Sequence, residues 1–217
     1  MASTNLFAAR SAHDISSLIR EYPLAWLVSG SGGDILATQV PLVADLSPDG
    51  AVVRLLGHFA RRNPHIRALQ HDGRATAIFS GPHGYISPSW FRDRMQAPTW
   101  NVTTLKVRLR ISVDDLPECA DAVLARLVER MERGRPHAWT IADMATRYET
   151  LRSGIVGFYG EVLTVDATFK LGQNERMDVL VDQIAGLEAN GCADLANWVR
   201  EHNAHRMDVR PIQQPHS

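Results

Sequence analysis

Apolar positions recur along this chain with two different periods, and the switches between them mark out its elements. Ile15, Leu18 and Ile19 share one side of a 3.6-residue turn, so residues 12–21 are predicted helical. Residues 24–29 form an apolar, strand-like run, followed by the turn signal Ser29-Gly30-Ser31-Gly32-Gly33-Asp34. Strands are predicted over 35–43 and 51–58, with Leu46-Ser47-Pro48-Asp49-Gly50 turning between them. Residues 60–70 read as helix, and Pro64 sets its start near Asn63. A short strand over 74–80 ends at Gly81-Pro82-His83-Gly84, and 85–87 is extended again. Over 103–113 the pattern alternates, with Leu105, Val107, Leu109 and Ile111 on one face and Lys106, Arg108 and Arg110 on the other. That is the signature of a half-buried strand. Residues 114–133 form an amphipathic helix and 141–151 a further one. Residues 155–166 are a strand pair or one long strand, and helices over 176–190 and 193–203 close the chain.

About six or seven strands at hairpin spacing, with helices mostly late, point to an α+β, mainly β fold. The architecture expected is a small antiparallel barrel with peripheral and C-terminal helices. No internal repeat, low-complexity stretch or linker divides it, so residues 1–217 are read as one domain.

Composition narrows the partners. A net charge of −1, with no basic face or polybasic tail, argues against direct nucleic-acid binding. No apolar run approaches the roughly 20 residues of a membrane span. The first residues lack a basic region followed by an apolar stretch, so a cytoplasmic protein is expected. Cys119 and Cys192 sit in unrelated contexts and are expected as two buried thiols. Only Lys106 and Lys170 are lysines among 23 basic residues. Lysine, unlike arginine, can lose its proton when buried, which marks both for chemistry unless their retention is chance.

Three clusters carry candidate chemistry. Gly57-His58-Phe59-Ala60-Arg61-Arg62-Asn63-Pro64-His65 suits either an anion or iron site or a plain surface loop. Phe79-Ser80-Gly81-Pro82-His83-Gly84-Tyr85-Ile86-Ser87-Pro88-Ser89-Trp90-Phe91 is a stiff, aromatic-lined loop, fit for a flat ring system or for a barrel corner. Pro98-Thr99-Trp100-Asn101-Val102-Thr103-Thr104-Leu105-Lys106 is a polar run that would bring Thr99, Asn101 and Lys106 to one rim. His83 is expected to satisfy loop carbonyls, and His65 and His71 to be exposed.

In this order and spacing the clusters resemble the PaiB family pattern of GHxxxxNP, GPHxYISPSW and PTWN. Gly154-Ile155-Val156-Gly157-Phe158 and Phe169-Lys170-Leu171-Gly172-Gln173-Asn174 are similar to the family's later segments. The resemblance implies an FMN-binding split barrel forming a homodimer, with cofactor sites at the subunit interface. The chain departs from the pattern at Gln39 and Lys106, where many members carry histidine. Three functions are implied. The first is a piperazate synthase-like enzyme using haem b to form an N–N bond in an N-hydroxylated ornithine-like small-molecule substrate. There His58 is the axial metal ligand, Lys106 or Thr99 manages protons, and Arg61 or Arg62 holds the substrate carboxylate, with Tyr85 beside the substrate. The second is an FMN-binding, PaiB-like negative transcriptional regulator, in which Arg61, Arg62 and Lys106 contact the cofactor and Trp100 packs on its ring, with Asn101 and Ser87 lining the site. The third is a flavin-dependent oxidoreductase.

Overall fold

Ser11 opens the first helix, α1 (Ala12–Glu21): its Oγ accepts the Asp14 N–H, meeting one of the amides a helix start leaves without a partner. The strands are β1 (Leu24–Ser31), β2 (Asp34–Pro41), β3 (Val43–Leu46), β4 (Val52–Ala60), β5 (Arg74–Ser80), β6 (Gly84–Ile86), β7 (Thr99–Asp114) and β8 (Ile155–Lys170). The remaining helices are α2 (His65–His71), α3 (Pro117–Glu132), α4 (Arg147–Arg152), α5 (Met177–Ala189) and α6 (Ala193–Met207). This computed structural model describes residues 5–31 and 34–207.

The strands form one sheet in the order β2-β1-β5-β7-β8-β4-β3, with β6 pairing β7. β1 and β2 pair antiparallel out to Ser31 and Asp34, so the predicted glycine-rich turn lies between paired ends; Gly32 and Gly33 themselves fall outside the described residues. The α+β class holds, while several element bounds shift, β7 beginning at Thr99 rather than 103 and α2 at His65, and three elements differ more substantially from the sequence reading. The strand predicted over 35–43 breaks at Leu42, and a separate β3 pairs with β4. Residues 155–170 are one long strand. The helix predicted over 141–151 is split into a single 3-10 turn, Ile141–Met144, and α4. Asp143 accepts from both the N–H and the hydroxyl of Thr140, which closes that first turn, and Ala145, at φ +47°, stops it from continuing.

The chain gathers into two compact units: residues 1–8, 80–104 and 167–217 in one, 9–79 and 105–166 in the other. In the second, Phe59 and Phe158 stack at 4.7 Å among fully buried Leu27, Leu55, Phe79 and Leu105. Burying each such side chain is worth about 1.5–3 kcal/mol. On the other face of β4 and β8 lies α3, whose Cys119, Val123 and Leu127 pack with Val43 and Leu56. Gly157 permits that approach, since a Cβ there would stand 2.6 Å from the Cys119 Sγ. In the first unit, α6 holds Phe169 in stacked contact with Trp198 and His202 at 5.9 and 5.7 Å.

Candidate functional site

The alternation of β7 decides where its polar residues go. Thr99 and Asn101 take the inward register, and Trp100, Lys106 and Arg108 the outward one. The expected grouping of Thr99, Asn101 and Lys106 at one rim is therefore not what forms. Lys106 Nζ meets Asp166 Oδ2 at 2.6 Å, and both side chains are more than half exposed. The burial that was to equip Lys106 for proton handling is absent. Thr99 finds the other lysine: Lys170 Nζ donates to Thr99 Oγ1 at 2.6 Å, partly buried within the first unit. Lysine scarcity flagged both residues, but nothing local linked Lys170 to Thr99.

Other residues of the first unit divide between platform and scaffold. Tyr85 and Trp100 are cross-strand partners, 45% and 56% exposed, with ring centroids 5.8 Å apart in an edge arrangement. Asn101 is 1% exposed, and its Nδ2 has no hydrogen-bond partner among the described residues. Ser87 turns its hydroxyl to the Ser89 N–H and Ser89 Oγ, capping the short turn Pro88–Trp90. His83 Nδ1 bonds the Gly81 carbonyl at 3.0 Å, as expected. The turn after Lys170 is a scaffold: Gly172 takes φ +77°, and the Asn203 amide donates to the Leu171 carbonyl. The Arg206 guanidinium donates to the Gly172 and Gln173 carbonyls beside it.

The Gly57–His65 segment lies in the second unit. His58 sits on β4 opposite Gly157, on the face covered by α3. It is half-buried, its Nδ1 has no partner among the described residues, and burial pushes its pKa down, favouring the neutral imidazole. Arg61 is fully engaged, donating to the Ser153 and Ile155 carbonyls and pairing with Asp115 at 2.5 Å. Arg62 has no partner among the described residues. His65 corrects the sequence reading: it is 0% exposed, with Nε2 2.7 Å from Ser29 Oγ and Nδ1 3.0 Å from Thr38 Oγ1. Asn63 Oδ1 accepts its backbone N–H. A polar residue at the start of a helix looked exposed; α2 instead turns that ring into the core.

Two large cavities lie within the second unit. One, about 500 Å³, opens between β1, β2, β5, β7 and β8, with Val28, Ile35, Leu109 and Leu163 as apolar lining and Arg74 and Arg108 as cations. Arg74 is held by Asp72 in a bidentate pair, whereas Arg108 has no partner among the described residues. The other, about 400 Å³, includes Arg61, Arg62, Arg67, Gln70 and Asp115 in its lining. Neither is lined by His58. Of the cysteines, Cys119 is buried, its thiol pushed up by burial, and Cys192 is only partly covered; both are free. Tyr159, hydrogen-bonded to Cys119, is held up to about 12. Among the described residues no helix is long and apolar enough to cross a membrane.

Comparison with known proteins gives this geometry a setting. The chain is 31% identical over 170 residues to the protease synthase and sporulation protein PAI 2 of Bacillus subtilis, covering 77% of this chain and 80% of that protein. It is 26% identical over 143 residues to an uncharacterized protein of Saccharomyces cerevisiae, covering 61% and 83%. Among solved structures it resembles an FAD and heme binding protein of Mycobacterium smegmatis at TM-score 0.56 and 17% identity, over 82% of this chain and 79% of that one. It also resembles the flavocytochrome Anf3 of Azotobacter vinelandii at TM-score 0.55 and 13% identity, over 78% and 72%. At such identities the likeness is one of fold, the split barrel. The pattern of the family described as "Putative FMN-binding domain" spans residues 1–163, and with the PAI 2 relationship this establishes that the chain belongs to that family.

Proposed function

We propose that the protein binds FMN as a homodimer, with the cofactor in the cavity of about 500 Å³ on the outward side of the sheet. The observation that carries this reading is the lining. Val28, Ile35, Leu109 and Leu163 offer an apolar surface for a flat ring, and Arg108 is a cation without a partner in the described protein. The size falls within the range of ordinary ligand pockets. Arg108 would take the phosphate in charge-assisted hydrogen bonds, a role for which its planar fork is suited. When bound, FMN supplies hydride and single-electron chemistry. The chain's own part is to exclude water with the apolar lining and to hold the phosphate.

The same face argues for the second subunit. Leu24, Trp26 and Ile35 are large, apolar and exposed on β1 and β2, and Gln39 stands opposite Trp26 in their register. Covering such a surface with another copy removes it from water. The activity then falls to a small-molecule flavin oxidoreductase or to a PaiB-like regulator acting through a partner, since the net charge of −1 gives little for a nucleic acid to hold.

One observation favours haem b as a second reading: His58 is a half-buried imidazole whose neutral form burial favours, with a nitrogen that has no partner among the described residues. Neutral imidazole is what an iron coordinates. In that reading His58 would hold haem and Arg62 the substrate carboxylate. The net change on an N-hydroxylated ornithine-like amino acid would be redox-neutral: the N–O bond breaks, an N–N bond forms, and the hydroxyl leaves as water with one amine proton.

Absorbance titration of the purified chain with FMN and with hemin tests both. Saturable FMN binding, weakened at least tenfold in Arg108→Gln, is the expected result. Binding unaffected by Arg108→Gln would remove the phosphate assignment, and no saturable FMN binding would remove the flavin reading. Saturable hemin binding whose Soret band is lost in His58→Ala would support the second.

A further inference from the structure

Most arginines among the described residues are matched. Arg61 meets Asp115, Arg74 meets Asp72, Arg92 meets Asp182, Arg126 meets Asp45 and Arg176 meets Asp93. Arg62 and Arg67 are exceptions: both line the cavity of about 400 Å³, and neither has a hydrogen bond, ion pair or ring contact among the described residues. Gln70, one turn beyond Arg67 on α2, lines the same cavity and adds an amide donor. Pro64, Ile66 and Val156 supply apolar wall. Asp115, also at this cavity, has its charge answered by Arg61, so it does little to cancel the two free cations.

A pair of unmatched guanidinium forks facing a cavity with some apolar wall is the chemistry of oxyanion capture, because each fork matches the two oxygens of a carboxylate or phosphate. We infer that this cavity is a second small-molecule site, taking a ligand with a carboxylate or phosphate head that Arg62 and Arg67 hold and Gln70 supports. It shares no lining residue with the cavity assigned to FMN, so it is a site for a co-substrate or effector. As a site apart from the cofactor's it rests on the FMN reading, since in the haem reading the same Arg62 already holds the substrate carboxylate.

Isothermal titration of the full chain with inorganic phosphate, and separately with succinate, tests it, first without FMN and then with FMN in excess. The expected result is saturable binding of at least one anion, weakened at least tenfold in Arg62→Gln and in Arg67→Gln and unchanged in Arg108→Gln. Which anion binds decides between a phosphate and a carboxylate head. Both arginines are exposed, and a thermal melt of each variant confirms that it folds. Flat titrations with both anions, or equal affinity in the double Gln variant, would overturn the site. Displacement of the anion by FMN would make this cavity the cofactor's own phosphate seat and overturn a separate ligand; FMN binding by itself is read in the absorbance titration.

Discussion

At His65 the ring is wedged between the Ser29 and Thr38 hydroxyls, and burial pushes its pKa below the ordinary value. His58 is pushed the same way. A histidine that resists protonation in the folded chain accepts its proton more readily in the unfolded one. Stability from both is therefore fully present above a pH of about 6.5 and declines as the pH falls below it. Urea unfolding across that range should show the midpoint falling on the acid side, with a shallower slope in His65→Gln; a midpoint independent of pH would contradict the buried ring. The lysines make a second contrast. Thr99→Val leaves a partly buried ammonium without its acceptor and should cost about 1–3 kcal/mol. Lys106→Met removes an exposed pair and should cost at most about 1 kcal/mol in the same denaturation experiment. Equal costs would mean that the two lysines are not differently placed. Residue types at the site were legible in the sequence, but this pairing was not: Thr99 and Lys170 are 71 positions apart and meet only because β7 and β8 are neighbours in the sheet.

Elements were legible where periodicity and punctuation agreed. α1 spans Ala12–Glu21 and β5 spans Arg74–Ser80, matching the predicted 12–21 and 74–80, because each is bounded by a cap or turn signal. β8 was harder to delimit, since its outer half exposes residues on both faces and loses the alternation that marks a strand. The split at Ala145 left no hydrophobic trace, because it depends on the hydrogen bonds of Thr140 and Asp143. The contact between α3 and β8 was also silent in the pattern, and its closest approach is at Gly157. Gly157→Val would drive a side chain into Cys119 and the α3 backbone and should lower stability by about 1–3 kcal/mol, read from the urea midpoint. A neutral outcome would mean that α3 shifts freely on the sheet.

For the whole molecule, family and fold class were legible because several short motifs kept their order and spacing over most of the chain. Partner and cofactor sites were not, since cavities arise from strands far apart in sequence. The proposed homodimer makes a direct prediction: Trp26→Asp places a charge on the exposed β1 face and should leave the chain monomeric in light scattering where the parent is a dimer. A monomeric parent chain would instead leave Leu24, Trp26 and Ile35 to some other contact. The arrangement of the two lysines also has a practical use. Lys170 is hydrogen-bonded and half covered, while Lys106 stands open on β7, so an amine-reactive fluorophore would mark position 106 first, the chain's α-amino group aside. Attached two residues from Arg108, such a dye would report whatever settles on that face, through quenching or anisotropy, with no engineered cysteine needed.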